Sequence, residues 1–427
     1  MQSGWRPYGL GLVFFLLALP SLAEPLPATS PEAAGLSAER LSRIGKFLKD
    51  DAGKGKLPGS VVAVARKGKL VYFEAAGFQD KAAGKIMKKD AIFRVYSMTK
   101  PWTSVAAMIL VEEGRIQLTD PVSIYLPALK GLKVAIKDAN GQSVVPAARE
   151  PTIQDLLRHT SGFAYDFLTA NAAVKEAYRS AGLKALGRDI RDKMTPPEFI
   201  GNIASAPLSS QPGTTWEYSL STAVLGRVIE AVTGMPLSKF LEQRVFKPLK
   251  MPDSGFVVPA AEAGRIAQPL SVNEGIEVFD PATPPANDLG GEGGVSTASD
   301  YLRFAQMLLN NGQLEGERIL SRTSVALMTS DHLRQDTHAI GSSPIGPGEL
   351  LPQGYTFGLG FMVRQGQGNA AVPGSAGEFM WGGAAGTYFW VDPKEQLAAV
   401  FMSQGPLSAR VAYRRIIKQL VYAAIVD

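Results

Sequence analysis

Short apolar runs gathered at the two ends of this chain constrain its fold more than any other feature. Val61 to Ala65 and Leu70 to Ala75 flank Arg66-Lys67-Gly68-Lys69, the pattern of a β-hairpin. Near the other end, Thr356 to Val363, Glu378 to Gly382, Thr387 to Val391 and Leu397 to Ser403 are β-like runs separated by turn residues, and Gln404 to Val426 ends in a helix. The middle reads differently. Thr195-Pro196-Pro197-Glu198 is a capping box with Pro at a helix start, and Val224, Leu225, Val228, Ile229 and Val232 repeat at helical spacing up to Gly234. Two more helices belong to the ends: one capped by Ser37 with Leu41, Ile44, Phe47 and Leu48 on its apolar face, and one from Ser299 to Asn310, closed by Asn311-Gly312. Strands at both ends with helices between predict an α/β domain built from residues 24–120 and 296–427, with a mostly helical domain, residues 121–295, inserted in it.

Within the first part, Phe93-Arg94-Val95-Tyr96-Ser97-Met98-Thr99-Lys100 precedes a run from Ser104 to Glu113 that is rich in Ala, Met, Ile, Leu and Val and stops at Gly114. Ser97 therefore falls at the start of a buried helix, and Pro101 fits only its first turn. Residues three apart on a helix share a face, with Cβ atoms about 5–6 Å apart, so the Lys100 amine can reach the Ser97 hydroxyl. A serine hydroxyl becomes a useful nucleophile only beside a base, and a free backbone N–H at a helix start can meet a developing oxyanion. Taken alone, a Ser-x-x-Lys is expected about once or twice by chance in a chain of this length. Ser97 is the only serine here with Lys three residues on.

Composition excludes several classes. The 427-residue chain has no Cys and only three His (His159, His332 and His338), which argues against a zinc site and against any use of disulfides. A net charge of +5 comes from scattered Lys and Arg, densest from Lys81 to Lys89, without interleaved aromatics. That group reads as a solvated loop, not a nucleic-acid surface. Arg6, the apolar stretch Leu10 to Leu19 and then Pro20-Ser21-Leu22-Ala23 have the pattern of a secretory signal peptide over residues 1–23, cleaved before Glu24. The stretch is shorter than the roughly 20 residues that span a bilayer, so no stable membrane span is expected after cleavage.

Four ordered motifs carry a resemblance. Phe93-Arg94-x-x-Ser97-Met98-Thr99-Lys100, Leu156-Leu157-x-His159-Thr160-Ser161-Gly162, Trp216-x-Tyr218-Ser219 and Trp381-Gly382-Gly383 stand in the order found in serine β-lactamase-like hydrolases. The chain resembles a family VIII carboxylesterase, a relative of class C β-lactamases and DD-peptidases, over nearly its whole mature length. The resemblance implies a β-lactamase/DD-peptidase-like α/β fold, an antiparallel sheet flanked by helices plus a mostly helical domain. It also implies an acyl-enzyme on Ser97, Lys100 as its proton partner, and Tyr218 completing the centre beside the Lys ammonium. Trp381, Gly382 and Gly383 are implied substrate-binding residues, on a strand that begins at Trp381 and sets the Ala384 N–H opposite that of Ser97 in a two-donor oxyanion hole. Phe163, Tyr165 and Phe167 wall the acyl pocket in this reading, although loop aromatics at such spacing are as often packing. No cofactor or metal is implied.

Two departures from the β-lactamase pattern bear on substrate. The tyrosine motif reads Tyr218-Ser219-Leu220, and leucine cannot give the amide hydrogen bond that Asn provides there. Trp381 replaces a Lys or His, as in the esterases. The expected activity is hydrolysis of a small-molecule, short-chain carboxylic ester, with weak β-lactam hydrolysis as a secondary activity. A β-lactamase or DD-peptidase, an acyl transferase to an alcohol, and a non-catalytic cell-wall binding protein on the same fold are the alternatives. A Ser-His-Asp arrangement on His159 is not favoured, because that turn is structural in the relatives and Gly-x-Ser-x-Gly is absent; Asp155 and Asp166 read as a helix residue and a surface-loop residue.

Overall fold

The computed structural model describes residues 1, 25–138, 141–184, 188–270, 277–333, 337–339, 342–343, 346–347 and 350–427. The export signal expected at the N-terminus, apart from Met1, lies outside these residues. An eight-stranded sheet takes all of its strands from the two ends of the chain: β1 (Gly59–Arg66), β2 (Lys69–Asp80), β3 (Lys85–Ile86), β4 (Tyr355–Phe357), β5 (Met362–Arg364), β6 (Phe379–Gly382), β7 (Tyr388–Asp392) and β8 (Leu397–Ser403). Their order is β4-β5-β6-β7-β8-β1-β2-β3, and every neighbouring pair is antiparallel. The expected hairpin is β1–β2, closed by Lys67 and Gly68, whose φ of 52° and 75° match the two-residue turn that follows the strand twist.

The central strands read as unbroken apolar runs because both faces are covered. Every residue of β1 and of β8 is buried. Helix α1 (Ala38–Gly53), capped by Ser37 as expected, packs on β2 and on the C-terminal helix, α5 (Arg410–Ala423). On the other face lies α4 (Ala298–Leu309), against β1, β7 and β8. Alternation along β7 shows the two sides: the Tyr388 ring meets the Arg414 guanidinium of α5, while that of Phe389 lies 5.1 Å from Tyr301 of α4.

Helix α2 (Thr99–Glu112) is the buried helix predicted after Ser97, and nearly all of it is inaccessible. Trp102 locks it in place through rings at 5.0 Å (Phe246) and 5.2 Å (Tyr301). It also packs on α3 (Ser221–Thr233), the helix that opens just after Tyr218 and stops at Gly234, whose φ of 72° suits glycine. The sheet end, α2 and the start of α3 thus converge on one region.

Candidate active site

Ser97 lies in a single 3-10 turn, Tyr96–Met98, that leads into α2. The preceding pair Phe93–Arg94 is a short strand bonded to Val295–Ser296, so the chain passes from strand to helix within a few residues. Tyr96 takes the bend at φ 45°, a left-handed conformation that a bulky side chain adopts only when its surroundings enforce it. Those surroundings are visible: the ring is buried against Phe279, and the Tyr301 hydroxyl donates to the Met98 carbonyl at 2.7 Å. Ser97 is left 8% exposed on the wall of a cavity of about 70 Å³.

Lys100, 1% exposed, sits one turn on. Its Nζ donates to Ser97 Oγ at 3.3 Å, to the Tyr165 hydroxyl at 3.0 Å and to the Gly291 carbonyl at 2.8 Å. Toward Tyr218 it presents a different relationship, lying 4.6 Å from the ring centroid. The Tyr218 hydroxyl itself accepts a long hydrogen bond, 3.4 Å, from Trp381 Nε1, and the two rings are 5.2 Å apart. A lysine head group between two aromatic faces and hydrogen-bonded to the serine hydroxyl is placed to assist proton movement between Ser97 and a leaving group.

Trp381 is the next-to-last residue of β6, not the first residue of a strand as expected; Ala384 lies in the turn that follows. The hydrogen bonds of that turn, Gly383 N to Thr387 O at 2.8 Å and Gly386 N to Gly383 O at 3.1 Å, skip the Ala384 N–H. Arg410 and Arg414 of α5 hold the same turn by donating to the Ala384 and Gly383 carbonyls. Ala384 and Ser97 border one cavity, and the Ser97 amide lies in a first helical turn where N–H groups lack intrahelical acceptors. Both glycines matter for close approach. A Cβ on Gly382 would come within 2.7 Å of the Arg414 guanidinium, and one on Gly383 would collide with the Val95 carbonyl and Thr387 Oγ1.

The aromatic loop divides. Tyr165, Phe167 and Leu168 border the cavity, whereas Phe163 is buried in the core and is not on its wall. Asp166, expected on the surface, is 2% exposed and paired with Arg179 at 3.3 Å; alternation with the two cavity-facing aromatics turns it into the protein. Asp155 completes the capping box of the short helix Ile153–Leu157, whose N-cap is Thr152, and pairs with Arg149 and Arg158. His159 serves neither Ser97 nor Asp155: its Nδ1 lies 3.2 Å from Ser219 Oγ, and burial, with the Lys100 charge adding to it, holds its pKa well below the usual histidine range.

Sequence reasoning missed all three charged residues of this cavity wall. Glu292 borders it from the glycine-rich loop Asp288 to Gly294, while Arg410 and Arg414 border it from α5. No motif marks them, because they come to the cavity from elements far away in sequence. A second cavity of about 380 Å³ shares Met362, Tyr388 and Arg414 as walls with the first. Among the described residues, no group of His, Asp and Glu side chains is arranged to hold a metal ion, and no helix is long and apolar enough to cross a membrane.

A family model described as Beta-lactamase matches residues 44–423. Protein Rv1367c of Mycobacterium tuberculosis is 36% identical over 362 residues, covering 82% of this chain and 86% of that protein. Esterase EstB of Burkholderia gladioli is 32% identical over 398 residues, covering 88% and 92%. Among solved structures, EstCE1, described as a hydrolase with promiscuous acyltransferase activity, superposes with a TM-score of 0.74 at 27% identity, over 90% of this chain and 99% of that one.

Proposed function

Since the chain belongs to the beta-lactamase family, we propose that it is a carboxylesterase of the family VIII type, cleaving short-chain esters through an acyl-enzyme on Ser97. The observation that carries this reading is the buried Lys100 ammonium, hydrogen-bonded to Ser97 and Tyr165 and facing the Tyr218 ring, beside a small, largely apolar cavity that Ser97, Tyr165, Tyr218 and Trp381 border. In the proposed first step, Ser97 Oγ attacks the ester carbonyl carbon and its proton passes to the Tyr218 oxygen, acting as a phenolate that the Lys100 ammonium beside it stabilises. The N–H groups of Ser97 and Ala384 receive the oxyanion. Collapse breaks the bond to the alcohol oxygen, which takes up the proton and leaves. Water then adds to the acyl carbon by the same proton path, giving the carboxylic acid and restoring Ser97.

The cavity of about 70 Å³ favours a short acyl chain, and the larger cavity beside it has room for a bulkier alcohol portion. EstB, an esterase by name, supports the reaction class. A second reading, weak hydrolysis of β-lactams, draws on Arg410 and Arg414, which bring positive charge to the cavity wall. The N-terminal stretch fits export, which would place the substrate in the periplasm or outside the cell; sequencing the N-terminus of exported protein should then begin at or near Glu24.

Turnover of p-nitrophenyl butyrate, nitrocefin and a D-Ala-D-Ala peptide, with intact-mass detection of the acyl-enzyme, tests the proposal. Butyrate turnover with a Ser97-bound butyryl group is the expected result. Turnover of nitrocefin or the peptide without any of the butyrate would replace it by a β-lactamase or peptidase, and no covalent labelling by a fluorophosphonate would leave only a binding protein.

A further inference from the structure

Glu292 is a buried acid that the proposed proton path does not employ. It is 8% exposed, neither side-chain oxygen has a hydrogen-bond partner, and it borders the cavity that holds Ser97, Tyr165 and Tyr218. Buried carboxyl oxygens are almost always hydrogen-bonded, because water is lost to them on folding. An orphaned pair beside a reactive serine therefore points to a partner that arrives with the ligand.

The chain around Glu292 fixes its position. The Gly290 carbonyl accepts from Thr103 Oγ1 at 2.8 Å, the Gly291 carbonyl accepts from Lys100 Nζ at 2.8 Å, and the Gly294 N–H donates to Thr99 Oγ1 at 2.9 Å. A Cβ on Gly294 would come within 2.7 Å of Trp102, and one on Gly290 within 3.0 Å of Thr103. The loop thus lies flush against α2 because its flanking residues lack side chains, and Glu292 alone among Gly290 to Gly294 carries one. A carboxyl held in this way is preorganised.

The adjacent cation is not its hydrogen-bond partner. An ammonium has three N–H groups, and those of Lys100 meet Ser97, Tyr165 and Gly291. Burial pushes the Glu292 carboxyl above the usual range; the Lys100 charge opposes the shift and Asp166 adds to it. In either protonation state it keeps acceptor capacity that no protein group uses.

We propose that Glu292 recognises a hydrogen-bond-donating group of the substrate, a hydroxyl or an ammonium near the scissile bond, so that esters carrying such a donor are preferred to plain alkyl esters. The inference rests on the ester-hydrolase reading and deepens it. Sites built around a buried polar group discriminate strongly against analogues that leave it unpaired.

The test compares kcat/KM for p-nitrophenyl butyrate, p-nitrophenyl 3-hydroxybutyrate and p-nitrophenyl 3-aminobutyrate, and for ethyl butyrate against 2-hydroxyethyl butyrate, in wild type, Glu292→Met and Glu292→Gln. Wild type should prefer at least one donor-bearing ester by about tenfold or more. Glu292→Met should lose that preference, and Glu292→Gln should lose any preference for the ammonium and weaken one for the hydroxyl. No preference in wild type overturns the inference, as does an unchanged ratio in either variant shown to be folded by thermal unfolding. Hydrolysis of p-nitrophenyl butyrate and fluorophosphonate labelling of Ser97 separate the two proposals: their absence in wild type sinks the esterase reading, whereas flat ratios with both intact sink only the role of Glu292.

Discussion

Lys100 donates a 3.0 Å hydrogen bond to the Tyr165 hydroxyl, although Tyr218 is the tyrosine that the sequence motif pairs with it. Tyr218 meets the ammonium with its ring face instead, 4.6 Å from the centroid. The two phenols should therefore differ in kinetic weight. A hydrogen bond to a charged group contributes about 1.5–3 kcal/mol, so Tyr165→Phe should lower kcat about ten- to a hundredfold by leaving one Lys100 N–H unspent. Tyr218→Phe should cost several orders of magnitude. The reverse order would make Tyr165 the proton carrier and Tyr218 part of the wall.

Ser97→Ala should remove both covalent labelling and turnover while thermal unfolding stays close to wild type, since only a hydroxyl at a helix start is lost. Activity within about tenfold of wild type would point to another nucleophile, as serine nucleophiles elsewhere account for about 10⁴ or more. Lys100→Ala and Tyr218→Phe, each severe alone, should combine with little further loss because both serve one proton path. Strictly additive losses would place one of them off that path.

The fold was legible where local rules and tertiary packing agree. Lys67-Gly68 demands a tight turn and the apolar runs beside it are covered on both faces, so the β1–β2 hairpin could be read from residues alone. Thr195 and Glu198 form the capping box their spacing predicts, and Ser97 and Lys100 meet because three residues along a helix is a fixed distance. What stayed hidden depends on contacts between distant segments. Glu292 is separated from Lys100 by most of the helical region, and Arg414 reaches Gly383 only because α5 crosses the end of β6. Asp166 looked solvated because acids in loops usually are, yet its neighbours Tyr165 and Phe167 face the cavity and turn it inward toward Arg179.

The attachment of α5 should be the most fragile buried ionic contact near the site. Glu378 of the turn into β6 accepts from Lys418, from Arg364 at 3.3 Å, from Tyr355 at 3.0 Å and from Tyr422 at 2.9 Å, with Glu378, Lys418 and Arg364 all buried. Removing the carboxylate strands two buried cations. Glu378→Gln should destabilise by about 3–5 kcal/mol in urea unfolding. A change below about 1 kcal/mol would show that Asp392 alone can hold the helix end.

Stability should carry the titration of Asp300 at the start of α4. The side chain is fully buried; one oxygen accepts from Asp253 N at 2.8 Å and Ser254 Oγ at 2.9 Å, and the other has no partner. Burial, with the Asp253 charge adding to it, raises its pKa to about 7, against 3.8 for an unperturbed aspartate. Between those values the native state holds a proton that the unfolded state has released, so stability falls as pH rises through that window and levels off above it. The expected loss is on the order of 4 kcal/mol. Asp300→Asn should flatten the slope between about pH 4.5 and 7.5 relative to wild type; parallel slopes would show that Asp300 does not titrate there.

Trp381 sets the last expectation, and the structure changes its terms. Indole offers one N–H and a broad apolar face, and here that N–H is directed to the Tyr218 hydroxyl at 3.4 Å. It leaves nothing for the carboxylate beside a β-lactam ring, a charge-assisted contact worth about 1.5–3 kcal/mol, or about ten- to a hundredfold in kcat/KM. Taken alone, this would exclude useful lactam turnover. Arg410 and Arg414, however, border the same cavity from α5, so the carboxylate need not go without a cation. Trp381→Lys and Trp381→His should therefore still shift the ratio of nitrocefin to p-nitrophenyl butyrate hydrolysis toward nitrocefin, but by less than the full hundredfold, and much of the shift should come from weakened ester binding as the apolar wall is lost. Arg414→Ala should move the ratio the other way by lowering nitrocefin turnover more than butyrate turnover. If both Trp381 variants fold and the ratio stays at its wild-type value, Trp381 is a packing residue over Tyr218 and the preference for neutral esters must originate elsewhere in the cavity.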